Sequence, residues 1–156
     1  MIDKREQILA QLKVILDGVL TANPTLVKTV VRNRQLLKNE SRPAIVLLDG
    51  DETVRLSMDR KFGRAQGFAP QIMQMRPQVF IVAEEGRPNN SELGPADNAL
   101  RVAIISAIHN DDTLKTLYGA NGALIYNNTV TDMKSGGAVT GLMMLDFAIN
   151  YLLTPT

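Results

Sequence analysis

The chain has 156 residues, 45% hydrophobic and 21% charged, with a formal net charge of +1, which fits one domain able to bury its own core without metal or disulfide staples. It has no cysteine and one histidine, which excludes disulfides, thiolate metal centres and a cysteine nucleophile and leaves little room for imidazole chemistry. The near-neutral balance lacks the global footprint of a nucleic-acid binder, and no run approaches the roughly 18 apolar residues of a membrane span. The N-terminus enters an amphipathic stretch instead of a signal-peptide core, so the chain reads as cytosolic at synthesis.

Residues 3–22 carry the clearest helical pattern. Ile8, Leu9, Leu12, Ile15, Leu16, Val19 and Leu20 recur at three- and four-residue spacing and make one apolar stripe. Asp3 is the expected N-cap, with Glu6 at the capping-box position, and Asn23-Pro24 ends the helix. Residues 26–33, with the β-branched run Thr29-Val30-Val31, predict a short strand with Arg32 and Arg34 at its exit. Pro43 opens a second strand over 44–48, apolar on both faces as a central strand should be.

A polar segment over 55–68 then separates this strand from the run 71–83. The long interval predicts an extended arm, because structureless loops of that length in compact domains usually carry function or disorder. Within 71–83, Met73, Met75, Val79, Ile81 and Ala83 share one face, and Pro77 predicts a bulge or an edge position. Residues 84–95 read as a turn-rich linker. A second helix is expected from about Pro95 to His109 on the stripe Leu100, Ala103, Ile104, Ala107 and Ile108, and a short third helix over 113–118, capped by Asp111 or Asp112 and stopped by Gly119. A strand over 123–128, a polar loop over 129–138 and a closing strand over 143–151 complete the chain. The closing strand has one apolar face and one mixed face. The predicted fold class is α+β: a mostly antiparallel mixed sheet of about five strands packed against two main helices, with one long extended loop, in a single domain over 1–156.

Asp49, Asp51 and Glu52 are the one acidic cluster that suggests a hard-cation site. The pattern lacks the remaining ligands of a calcium loop, and glycine with aspartate at a strand end is the ordinary composition of a turn. His109, at a helix end, suits the last carbonyls better than catalysis. Neither Gly136-Gly137 nor 119–122 has the strand, loop and lysine context of a phosphate site. The basic set Arg55, Arg60, Lys61, Arg64 and Arg76 has three readings: solvated charge, phosphate contact with Phe62 and Phe68 as stacking groups, or pairing with an acidic protein neighbour. Met58, Phe62 and Phe68 among the arginines favour a protein contact surface.

In layout the chain resembles the tail terminator proteins of long-tailed bacteriophages and related prophages, of the lambda-like minor tail protein U type. The resemblance rests on the opening helix, the strand leading to Arg32-Asn33-Arg34, and the segment Arg42-Pro-Ala-Ile-Val-Leu-Leu-Asp-Gly-Asp-Glu52. It continues in Pro70-Gln-Ile-Met-Gln-Met-Arg-Pro77, the helix over 98–108 and the closing Phe147-Ala-Ile-Asn-Tyr151. It implies a structural virion protein, not an enzyme, with no cofactor and no catalytic or metal residues. Its expected partners are further copies of itself in a hexameric ring, the tail tube protein, and the head-tail connector or stopper protein. Genome DNA would pass through the lumen without sequence reading, and no membrane is involved. The implied location is the virion tail at the head-tail interface, after assembly in the bacterial cytoplasm. A ring follows when a heterologous contact closes by rotation. The expected contact residues are Arg55, Met58, Arg60, Lys61, Phe62, Arg64 and Phe68 on the arm, Arg32 and Arg34, and Lys134 in the 129–138 loop. Two alternatives stay open: another head-tail joining or tail-completion protein, and a metal-dependent enzyme built on Asp49, Asp51 and Glu52.

Overall fold

The structure, a computed structural model, describes residues 3–34, 42–57, 70–83, 90–120, 122–134 and 140–153. Among them are the helices α1 (Lys4–Ala22), α2 (Asn90–His109) and α3 (Asp112–Tyr118). The strands are β1 (Thr29–Arg32), β2 (Ala44–Leu48), β3 (Glu52–Ser57), β4 (Gln71–Met75), β5 (Gln78–Val82), β6 (Ala123–Lys134) and β7 (Thr140–Leu153). All seven strands join one sheet in which only β1 and β2 are paired parallel. The α+β class with a mostly antiparallel sheet is therefore the observed one, with seven strands in place of about five.

The helices form where the apolar spacing places them. In α1, Ile8, Leu9, Leu12, Ile15, Leu16 and Val19 are buried, and the Arg5 amide donates to Asp3 Oδ1 at 3.1 Å, which satisfies one otherwise unpaired N–H of the first turn. The capping box does not close: Glu6 turns its carboxylate to Arg32 instead, because a guanidinium is a stronger partner than a backbone amide. Asp111 caps α3 through the Leu114 amide at 2.7 Å, and Gly119 ends it at φ 79°. Helix α2 starts at Asn90, one turn before Pro95. Proline has a helical φ, and this near the helix start it forfeits a single backbone bond, so the linker expected over 84–95 is helical from residue 90 onward.

Strand β7 organises the sheet. One of its edges pairs with β6 along nearly its whole length, and the other pairs with β5 at one end and β4 at the other. The register with β4 (Met75 opposite Ile149) runs without a shift into that with β5 (Gln78 opposite Asp146). The run 71–83 thus lies along β7 as one line, and the Phe147 amide donates to the Pro77 carbonyl at 3.2 Å across the gap. The bulge expected at Pro77 is absent. What changes there is the partner on the far side, β3 beside β4 and β2 beside β5.

Two further boundaries move. Residues 52–57, including Arg55, belong to β3 and not to a loop, since Thr53, Val54 and Leu56 complete a hairpin with β4. Residues 129–134 extend β6, because the β-branched run Thr129-Val130-Thr131 suits a half-solvated edge strand. The loop reading at 129–138 fails over that stretch for this reason.

Every second residue of β4, β5 and β7 faces the helices. Met73, Met75, Val79, Ile81, Met143, Leu145, Phe147, Ile149 and Tyr151 join the α1, α2 and α3 stripes in one core. Each such side chain contributes about 1.5–3 kcal/mol on burial. The opposite face of the sheet carries no described helix.

Candidate subunit-contact surface

The register fixes what the face opposite the helices carries. Ala44, Val82 and Leu142 lie side by side across β2, β5 and β7. The next row is Val46, Phe80, Met144 and, on β6, Val130, and beyond it come Leu48, Gln78, Asp146 and Asn128. One half of the face is therefore apolar, and a polar band borders it. A shallow apolar cavity of about 190 Å3 opens in that half, lined by Arg34, Val46, Leu48, Phe80, Val82 and Leu142. Within this half Ala44 and Val46 are buried, Phe80, Val82, Leu142 and Met144 are half-buried and Val130 is exposed. An apolar cavity with a cation at its rim is the composition of a candidate binding site.

The polar band is held together by ion and amide pairs. Arg76 Nη2 donates to Asp146 Oδ2 at 2.7 Å, and Asn127 Nδ2 approaches the same oxygen at 3.4 Å. Gln74 Nε2 donates to Asn150 Oδ1 at 3.1 Å. Asp146 is buried on the face opposite the helices, and its Oδ1 has no hydrogen-bond partner among the described residues. Asn127 sits at the register shift of β6 against β7, which lets its amide reach back toward Asp146.

A second charged cluster closes one end of the sheet. Arg32 donates Nε and Nη2 to Asp49 at 2.7 and 2.8 Å, and Nη1 and Nη2 to Glu6 at 2.7 and 2.9 Å. This fork between two carboxylates holds Glu6 and Asp49 below their ordinary ranges and raises the arginine in turn. Arg5 Nη2 donates to the Gly50 carbonyl at 2.8 Å, while its Nε lies 3.1 Å from Glu52 Oε2, an ion pair out of line for a hydrogen bond. Burial, with Glu52 alongside, pushes the Tyr151 phenol up. The acidic segment 49–52 is thus a turn between β2 and β3, and its carboxylates diverge: Asp49 goes to Arg32 and Glu52 to Arg5. Among the described residues no group of three or more His, Cys, Asp or Glu side chains is placed to hold a metal ion. His109 Nδ1 lies 3.0 Å from the Ile105 carbonyl in the last turn of α2, the helix-end role read from its position.

The expected contact residues separate. Arg32 is spent inside the ion-pair cluster, a structural role, and its two carboxylates explain why it is not a free surface charge. Arg34 is exposed and stands at the rim of the apolar cavity. Arg55 is exposed on β3, and Lys134 ends β6. Met58, Arg60, Lys61, Phe62, Arg64 and Phe68 lie outside the described residues. Arg76 belongs to the polar band, paired with Asp146.

The apolar half-face itself was not anticipated as a site. Its signal was present in Phe80, Val82, Leu142 and Met144, which occupy the positions between the core residues of β5 and β7, where a one-sided sheet should be polar. Also missed was the clamp on the middle of β6. Arg101 of α2 donates to Thr129 Oγ1 at 2.9 Å and to the Tyr126 hydroxyl at 3.2 Å, and Tyr126 and Thr129 hydrogen-bond to each other. The guanidinium carbon lies 5.5 Å from the Tyr126 ring centroid. No protein-family model matches the chain, and no curated protein is detectably similar to it in sequence.

Proposed function

We propose that this chain is a structural protein of a bacteriophage tail, a terminator that caps the tail tube, stops its growth and offers its far surface to the head-side connector. On this reading it acts as a homo-oligomeric ring without catalysis or cofactor, in the virion at the head-tail interface. The sequence echoes over most of the chain support the family. The observation that carries the contact role is the apolar cavity on the face opposite the helices, lined by Phe80, Val82 and Leu142 with Arg34 at its rim. An enzyme's centre would gather titratable groups around such a cavity, whereas here the lining is aliphatic and aromatic apart from one cation. A surface of that composition suits a protein neighbour, with the arginine setting orientation.

The test is co-sedimentation with polymerised tail tube protein from the same phage. The wild-type chain should pellet with tubes in proportion to the number of tube ends. Val82→Gln, a change on the face opposite the helices, should keep the fold and reduce tube association at least tenfold. A chain that stays in the supernatant at all tube concentrations would refute the assignment.

A further inference from the structure

Strand β6 is twelve residues long and, among the described residues, pairs only with β7. Its outer edge can be read atom by atom. The Phe147 amide donates to Pro77, and backbone groups alternate sides along a strand, so Leu145, Phe147 and Ile149 direct their N–H and C=O groups to the β4 and β5 side. The β6 residues opposite them, Thr129, Tyr126 and Leu124, therefore occupy non-hydrogen-bonded pairs. They turn their amides and carbonyls away from β7, as does Thr131 opposite Met143. A row of backbone groups without a strand partner among the described residues faces outward.

On the opposite side of the sheet β3 pairs, among the described residues, only with β4 and makes a second edge. The Arg76 amide donates to the Asp51 carbonyl at 2.9 Å, so Gln74 also faces β3. Glu52 and Val54, opposite Met75 and Met73, then turn their backbone groups outward. Because β6, β7, β4 and β3 are successively antiparallel, β3 runs antiparallel to β6. A copy of the chain rotated about an axis along the strands presents its β3 to β6 in the sense that gives direct antiparallel bonds. The four-residue β1 also runs against β6, but it is the shorter edge and packs against α1.

Side chains mark the same two edges. Of the five exposed large hydrophobic residues among those described, Val54 (50% exposed) is on β3, and Ile125 (40%) and Val130 (47%) are on β6. Natural edge strands are guarded by brevity, proline, charge, a bulge or a covering segment, and of these β6 shows a bulge between Tyr126 and Asn128. Between Ala123 and Thr131, β6 has no proline and no charged residue, and its bulged centre is held in place by Arg101.

We infer that the β6 edge of one copy pairs antiparallel with the β3 edge of the next, a heterologous contact that continues the sheet between subunits. It deepens the ring reading above by naming the subunit joint. Such a contact repeats from copy to copy and closes when the rotation divides a full turn.

Amide hydrogen exchange, followed from micromolar to millimolar protein, tests this without tail tube. The amides of Leu124, Tyr126, Thr129 and Thr131 on β6, and of Glu52 and Val54 on β3, should exchange quickly when dilute and slow at least tenfold together as the chain self-associates. Thr131→Pro removes an outward N–H and no β6–β7 bond. It should keep the circular dichroism and melting temperature of the wild type while raising the self-association constant for dissociation at least tenfold. Self-association without protection at these amides, protection on β6 without β3, or no self-association up to millimolar protein would each overturn the inference. Paired protection in a chain that ignores tail tubes would leave the joint standing and reject the tail assignment alone.

Discussion

Gly50 is fixed by two independent constraints. Its φ is 69°, and a Cβ there would meet the Arg76 carbonyl oxygen at 1.9 Å. The left-handed backbone alone costs a non-glycine residue about 1–2 kcal/mol, and the clash adds displacement of the junction that joins β4 to β5. Gly50→Ala is therefore expected to lower the unfolding free energy by more than about 2 kcal/mol, measured by urea denaturation, while a change of equal size at the exposed Gly18, where a Cβ meets nothing within 4 Å, costs nothing comparable. The Arg32 fork makes a pH prediction. Glu6 and Asp49 have ordinary values of 4.5 and 3.8, and both are depressed in the folded chain, first by the hydrogen bonds from Arg32. Depressed carboxyls bind fewer protons folded than unfolded, so their stabilisation is full above those ordinary values and is lost as pH falls through the folded ones. Asp49→Asn should cost roughly 1–2 kcal/mol at neutral pH and flatten the loss of stability below pH about 4; an unchanged acid profile would contradict the pairing.

At the scale of elements, the legible parts were those where one period repeats over many residues. The α1 stripe, the α2 stripe from Leu100 to Ile108 and the alternation of β7 all placed the correct residues inside. The illegible parts were set by pairing partners, which no local pattern contains. Pro77 reads as a defect in isolation, yet it stands where the line along β7 exchanges β3 for β2 on its far side. Residues 52–57 look like the start of a charged arm because Arg55 faces solvent, but the hairpin with β4 claims them. Likewise Thr129-Val130-Thr131 is polar enough for a loop and β-branched enough for a strand, and β7 decides. The candidate site was less legible than the fold: Arg34 was singled out, but the face it borders emerges only once the helices are seen to occupy the other side. Arg76 at the junction should matter more than an exposed arginine usually does, since Arg76→Ala leaves the buried Asp146 carboxylate short of its cation. The expected loss is about 2 kcal/mol by thermal or urea unfolding, recovered largely by adding Asp146→Asn. A loss under about 0.5 kcal/mol would class the pair with ordinary surface ion pairs.

At the scale of the molecule, the three helices among the described residues take one side of the sheet, with an apolar cavity rimmed by Arg34 on the other side and the edges of β3 and β6 at the margins. These surfaces have different geometry and so suit different neighbours: edges extend a sheet sideways from copy to copy, while a face receives something laid over it. A ring that uses the edges laterally keeps the half-face for a further contact, the division of surfaces that a tube cap requires. The most direct measurement is electron microscopy of polymerised tail tubes mixed with the wild-type chain. The proposal predicts a ring, coaxial with the tube, at one end only, and tubes that no longer lengthen when fresh tube protein is added. Bare ends that keep growing, or the chain bound along the tube wall, would contradict it.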